Sequence, residues 1–352
     1  MIFQILTKDE FSHFADHSRY GNFMQSVERR DLRKRMGFNT YLIGVKEKGN
    51  IVASGLLVER NQEAWIQNGP ILDWTDAKLV KFFMEKLLDF CKKKCIVELE
   101  VYPPVLFSIR NFDGTAKESF GQEKLFEIFS KLGFKHTGFS EKMEFKALRW
   151  MFVKNLDGLN DMRAVELSFN ASTRKKYHQT KRNLEIYTLK DKSELKDWIV
   201  PLQESNLKNH IKTRDLKYFE DLWDTFGKKA SFVEARVADT KKIVSSELDI
   251  WHNNESVAFL AGTINNLKKY NGITAIKGWQ LEECLKRKQK RANFYGIDGV
   301  FTSDNPLLKS KSGFGGFVEE YIGGFKIVLN PVRYYINSLT IKLKRKLGLE
   351  KK

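Results

Sequence analysis

Between Asn293 and Asn330 the chain reads NFYGIDGVFTSDNPLLKSKSGFGGFVEEYIGGFKIVLN, with Lys311 just ahead of three closely spaced glycines, Gly313, Gly315 and Gly316. A lysine is a compact positive charge that suits a phosphate, or the oxyanion that develops when an acyl group is transferred. The glycines let the backbone take positive φ or come close to a ligand. Apolar runs at 293–297 and 321–329 read as strands, so Lys311 is expected on a mobile loop between two anchored strands. A lone glycine-rich loop is a weak signal, and the same residues would serve an ordinary surface turn. Little else in the chain suggests chemistry. Cys91, Cys95 and Cys284 are odd in number and lack ligand spacing, which reads as reduced thiols. No HExxH or CxxC cluster is present and no HxxE argues for a metal site, so neither a metal nor a cofactor is expected.

Charge is the second signal. The chain holds 61 Lys and Arg against 44 Asp and Glu, a formal net charge of +17. Solubility needs a smaller excess, so an anionic partner is implied: nucleic acid, a phosphorylated precursor or an anionic membrane surface. Arg29, Arg30, Arg33, Lys34 and Arg35 crowd one short stretch with Asp31 as its only acid, and helical spacing sets Arg29 and Arg33 a turn apart. Arg174, Lys175, Lys176, Lys181 and Arg182 lie in an acid-free stretch around Tyr177 and His178, a composition that suits an RNA backbone. Lys288 and Arg291 belong to a third run at 286–291, and the tail after Lys342 is a fourth. Each cluster could equally be a solvated helix face.

The elements that must position these residues alternate. Thr7 and Glu10 form a capping-box pattern before a helix starting near Lys8. Residues 41–45 and 51–59 read as a hairpin, a helix follows from Asp76, and 96–101 is a strand ended by prolines. After a helix at 123–132 and a strand at 151–156, the pattern begins again near 154–158. Helices at 191–208 and 215–226, strands at 231–237, 243–250 and 257–261, and a helix from about 274 follow, with a last helix at 332–347. This alternation predicts an α/β (α+β) fold with mixed sheets. No stretch reaches the ~20 apolar residues of a membrane span, and the start MIFQILTKDE lacks signal-peptide features, so a cytoplasmic location is expected.

The blocks FYGIDG, LLKSKSGFGG, EEYIGGF and LNPVRYYINSL occur in the order of the C-terminal signature of the FemABX family. HIKTRDLKYF at 210–219 is a second strong block, and 18–45 and 168–187 are weaker ones, so the chain resembles that family over nearly its whole length. The resemblance implies two GNAT-like acyltransferase domains, 1–153 plus 320–352 and 154–319. No sustained heptads mark the coiled-coil arm that several members insert, so the compact, armless branch is implied. It also implies an aminoacyltransferase that moves an amino acid from aminoacyl-tRNA to a stem-peptide amino group of a peptidoglycan precursor, either the nucleotide-linked muramyl pentapeptide or lipid II. By the same resemblance Lys311 is the catalytic lysine, with Ser310 where Phe is usual. Arg33 falls where a lysine grips a substrate phosphate, Arg214 where an arginine binds the precursor diphosphate, and Tyr218 where a tyrosine lines that site. Arg174, Lys175, Lys176, Lys181, Arg182, Lys288 and Arg291 become candidate tRNA contacts, and the basic tail a candidate contact with an anionic membrane at the inner face.

An aminoacyl ester is already activated, so the reaction demands oxyanion stabilisation and a neutral amine. Lys311 fits the first; for the second, Tyr102, Glu319 or Glu320 could supply a base, and deprotonation assisted by the substrate is equally open. Two rivals remain at this level. An acyl-CoA N-acyltransferase needs Arg/Gln-x-x-Gly-x-Gly/Ala opening a helix, to which the nearest match is Ser310-x-x-Gly313-x-Gly315. A non-catalytic RNA- or membrane-binding protein would account for the charge but not for the ordered blocks.

Overall fold

The computed structural model describes residues 1–336 and 339, apart from 144, 145, 147 and 303. The basic tail after Lys342 and most of the helix expected at 332–347 lie outside the described residues, and 331–336 is helical. The chain forms two compact units: Met1–Val105 with Gly121–Phe139 and Ile322–Lys352, and Leu106–Phe120 with Ser140–Tyr321.

In the first unit Thr7 caps the helix Lys8–His17 as expected. Its hydroxyl accepts the Glu10 N–H, and the Glu10 carboxylate takes the Thr7 N–H at 2.9 Å. Strands Asn39–Glu47, Asn50–Arg60 and Glu63–Ile66 run antiparallel in sequence order. The helix Ala77–Lys93 then crosses over, burying Leu79, Phe83 and Leu87 on one face, and Glu98–Val101 returns parallel to Glu63–Ile66.

The second unit repeats this plan. Strands Ala230–Val237, Ile243–His252 and Glu255–Thr263 run antiparallel, the helix Gly272–Lys286 crosses over, and Arg291–Gly296 returns parallel to Glu255–Thr263. Among the described residues each sheet has this single parallel pair, and every other pairing is antiparallel. The result is a duplicated GNAT-like unit with mixed sheets. The helices Leu195–Lys208 and Leu216–Phe226 are joined by 209–215 alone, and no coiled-coil arm separates them.

Strand partners differ from the division at 153/154 and 319/320. Leu106–Arg110, Ala116–Ser119 and Trp150–Asn155 all pair in the second unit's sheet, with Trp150–Asn155 between Arg291–Gly296 and Phe317–Tyr321. An apolar pattern marks a strand but does not choose its neighbour. The single strand expected at 321–329 is also two, Phe317–Tyr321 in one sheet and Phe325–Val328 in the other. Gly323, at φ +86, helps the chain turn between them, and a Cβ on Gly324 would lie 2.4 Å from the Tyr102 ring.

Candidate active site of the second unit

Lys311 stands on a helix, Pro306–Ser312, where the sequence predicts a mobile loop. Asn305 explains the difference. It is buried, its Oδ1 accepts the Leu308 N–H at 3.0 Å, and its amide donates to the carbonyls of Asp298 at 2.9 Å and Val300 at 2.8 Å. Pro306 occupies the first helical position, where no N–H is needed. Leu308 fixes the helix to the core built on Phe152, Phe169, Phe294 and Phe314.

The ammonium of Lys311 donates to the carbonyl oxygens of Gly296 at 2.7 Å and Tyr295 at 3.3 Å. These carbonyls lie where the parallel pair comes apart. Pairing joins Glu255–Val257 to Arg291–Asn293, although the two strands continue to Thr263 and Gly296. Tyr295 leaves the strand conformation altogether, with φ +67, and its N–H turns to the Asn293 side-chain oxygen at 2.8 Å. Lys311 is half-buried, and burial together with the nearby Lys277 ammonium pushes it down to about 7, while the Glu247 carboxylate opposes that shift.

The glycines do different work from one another. Gly313 is helical, and a Cβ there would meet the Thr173 hydroxyl at 2.0 Å, while its carbonyl accepts the Asn170 N–H at 2.9 Å. Gly315 and Gly316 hold φ +73 and +136, which other residues rarely adopt. Lys154, a strand residue with no distinguishing mark in the sequence, is buried and donates to the Phe314 carbonyl at 2.9 Å and the Ser168 hydroxyl at 2.6 Å; burial pushes its ammonium down to about 8. The end of the Lys311 helix is thereby closed on the first turn of the helix Ala171–Asn183, which carries the acid-free basic cluster.

On that helix Lys175, Lys176 and Arg182 are exposed. Arg174 donates to the Phe169 carbonyl at 3.2 Å, and Lys181 pairs with Glu166 at 2.7 Å while lying 4.4 Å from the Tyr177 ring centre. Lys288 is exposed beyond the end of the helix Gly272–Lys286. Arg291 is engaged inside the unit: it meets the Glu319 carboxylate fork to fork at 2.7 and 2.6 Å and Glu255 at 2.7 Å. Glu320 is held by Arg149, by Arg110 at 2.7 Å and by the Ser108 hydroxyl at 2.5 Å. Tyr102, in the first unit, donates to Glu100 at 2.7 Å.

Arg214 and Tyr218 are brought together. The guanidinium of Arg214 lies 5.3 Å from the Tyr218 ring centre, and Asp215 caps the following helix by accepting the Tyr218 N–H at 3.0 Å. Among the described residues no carboxylate pairs with Arg214, which is exposed. Arg33 belongs to the first unit and lies over the rings of Phe38 at 5.2 Å and Trp65 at 5.9 Å. Gln25, earlier in the same unit, is fully buried; it accepts the Leu56 N–H and donates to the Gln67 carbonyl, both at 2.7 Å. Three groups below Lys311 escaped the sequence reading: Glu247, Asp249 and Lys277. Among the described residues no cluster of His, Cys, Asp or Glu is placed to hold a metal ion.

Two copies of one mixed-sheet unit, the second parting at its parallel pair over a half-buried lysine, define a tandem acyltransferase fold. The chain belongs to the FemAB family, whose profile matches residues 6–242 and 233–342. The aminoacyltransferase FemA of Staphylococcus aureus (strain MRSA252) is 25% identical, with 98% of this chain and 99% of that protein aligned. That alignment spans 418 positions against 352 residues here, so FemA carries inserted segments that this chain lacks. Among solved structures FemX superposes with a TM-score of 0.80 at 16% identity, covering 96% of this chain and 99% of its own. A tandem GNAT protein from the clavulanic acid biosynthesis pathway gives 0.58 at 10% identity, covering 94% and 99%.

Proposed function

We propose that this chain is an aminoacyltransferase that moves an amino acid from aminoacyl-tRNA to a stem-peptide amino group of a peptidoglycan precursor, building the interpeptide bridge. The observation that carries the reading is the place of Lys311: on a fixed helix, against two carbonyls freed by a parting strand pair, with the basic helix Ala171–Asn183 closed onto its end. The acceptor amine attacks the ester carbonyl carbon, a C–N bond forms, and the bond to the ribose oxygen breaks. The amine loses a proton and the ribose hydroxyl regains one. The Lys311 ammonium stabilises the oxyanion between these events, a contact worth a few kcal/mol when preorganised in a site shielded from water. Glu319 and Glu320 already hold guanidinium groups, so the reading assigns neither of them the proton.

Arg214 and Tyr218 are assigned to the precursor, as is Arg33 in the first unit. Lys175, Lys176 and Arg182 are assigned to tRNA phosphates, with Arg174, Lys181 and Lys288 beside them. The acceptor is the muramyl pentapeptide in its nucleotide-linked or lipid-linked form. Among the described residues no helix is long and apolar enough to cross a membrane. The reading puts the enzyme in the cytoplasm or at the inner membrane face, where the basic tail would meet anionic lipid.

Acyl-CoA is disfavoured by position. Ser310-x-x-Gly313-x-Gly315 closes a helix rather than opening one, so it presents no row of free N–H groups to a pyrophosphate. The segments that do open the crossover helices, 67–76 and 264–271, have no Arg/Gln-x-x-Gly-x-Gly/Ala pattern. The test is to incubate the protein with a mixture of charged tRNAs and either precursor and to weigh the stem peptide. Mass increments of single amino acids are expected. Transfer from acetyl-CoA with no response to ribonuclease would replace this reading with its rival.

A further inference from the structure

Strand Ile243–His252 turns Glu247 and Asp249 to one face, under the helix Gly272–Lys286, whose Lys277 and Gln280 point back at them. All four are buried, and Glu247 and Asp249 are fully sealed from solvent. Lys277 donates to Glu247 at 2.8 Å and to the Gln280 side-chain oxygen at 3.3 Å, and the Gln280 amide donates to Ser256 at 3.0 Å. Among the described residues neither oxygen of Asp249 meets an N–H or O–H donor. Its neighbour is Glu247, and burial and that charge hold the Asp249 carboxyl well above the usual carboxylate range. The three side chains thus form one buried set, with Lys277 bonded to Glu247 and Asp249 held toward its neutral, protonated form beside them.

A fold seldom needs such a group. Buried ion pairs cost desolvation, and apolar residues of the same size often serve stability as well or better. What sets this one apart is its neighbour. The Lys277 ammonium lies 4.9 Å from the ring centre of Phe294, the residue before Tyr295, whose carbonyl holds Lys311. The Phe294 ring meets that of Phe314, just past Lys311, at 5.5 Å. We propose that Glu247, Asp249 and Lys277 form a buried charge unit that positions Lys311 and governs whether it carries its proton. Burial and the nearby Lys277 ammonium both disfavour a charge there, so Lys311 is held toward its neutral form. The charges that bear on it are Lys277 from the crossover helix and Glu247 from the strand; Asp249, with Arg287 acting on it, stands one step behind. The place of this unit in catalysis rests on the function proposed above, but its effect on Lys311 does not.

Competitive acetylation of the full chain with acetic anhydride across pH, read at the Lys311 peptide by mass spectrometry, tests this without tRNA or acceptor. The wild-type midpoint is expected at about 7. Lys277→Met should raise it by at least about one pH unit, since a like charge is removed, and Lys277→Arg should restore it. If Lys277→Met does not fold, Lys277→Gln, which keeps a donor toward Glu247, takes its place and should raise the midpoint as well. An unchanged or lowered midpoint in either folded variant overturns the proposal. Asp249→Asn should leave it unmoved, and a clear shift there overturns the placing of the proton on Asp249. A raised midpoint in a protein that transfers no amino acid would uphold the charge unit and remove the proposed function.

Discussion

Gly278 lies so close beneath Tyr177 that a Cβ placed on it would fall 1.9 Å from the ring's Cε2. This contact seats the basic helix Ala171–Asn183 on the crossover helix Gly272–Lys286. Gly to Ala inside a helix usually stabilises by roughly 0.5–1 kcal/mol. Here the clash wins, because Tyr177 is buried and its ring is also held edge-on by Phe169 at 5.8 Å. Gly278→Ala should therefore cost about 1–3 kcal/mol, measured by urea denaturation. A gain in stability would show that the basic helix moves away freely.

The sequence neighbours of Arg291 are surface cations, yet its guanidinium is shared by Glu319 and Glu255. Arg291→Met leaves these carboxylates without their cation, and breaking such a pair costs about 3–5 kcal/mol. Stability should fall by that order, while Lys288→Met should change it by less than about 0.5 kcal/mol. Equal effects from the two substitutions would contradict the fork-to-fork contact as a stabilising one.

Much of the scaffold was legible because it rests on local rules. The Thr7–Glu10 box, the hairpin at 39–60 and the short link at 209–215 follow from capping, alternation and missing heptads. Lys311 stands out in the sequence as a candidate, but its place on a helix does not. Asn305-Pro306 is a helix start, but in the sequence it reads as a polar stretch because the glycines behind it suggest a loop. Glu247 and Asp249 alternate with Leu248 and Ile250, a pattern that normally means a solvated face. Only the helix bringing Lys277 over that face makes it a core, and such a covering lies beyond any local window.

Lys311→Met should lower kcat by at least about a hundredfold and leave precursor affinity unchanged, the mark of a contact made only in the transition state. The pH profile carries a sign. The Lys311 ammonium is present below about 7 and lost above it, whereas the free acceptor amine increases up to its own pKa of ~10.4. Their product makes kcat/KM rise up to about pH 7 and then level off. In Lys311→Arg the cation persists, so whatever activity remains should keep rising through pH 8 and 9. Parallel profiles for the two proteins would take Lys311 out of the titration.

Arg214 has no carboxylate to lose among the described residues, so removing it should cost binding rather than folding. Arg214→Met should weaken precursor binding by about 1.5–3 kcal/mol, the worth of a charge-assisted hydrogen bond. Tyr218→Phe keeps the ring against which Arg214 rests and should cost less than Tyr218→Ala. Calorimetry giving wild-type affinity for Arg214→Met would move the diphosphate elsewhere.

The basic helix allows the sharpest test of the tRNA donor, because its cations are not equivalent. Lys175, Lys176 and Arg182 are exposed, whereas Lys181 is bound to Glu166. Each phosphate neutralised contributes roughly −0.7 to −0.9 to the slope of log affinity against log salt. Replacing Lys175, Lys176 and Arg182 by Gln together should therefore flatten the slope for charged tRNA by about 2 to 3, with precursor binding intact. Lys181→Gln alone should leave the slope nearly unaltered, since that charge is already met by a carboxylate. If Lys181→Gln flattens the slope as much as the triple variant, the Glu166 pair opens on binding RNA. If neither changes it, the tRNA lies on another face of the enzyme.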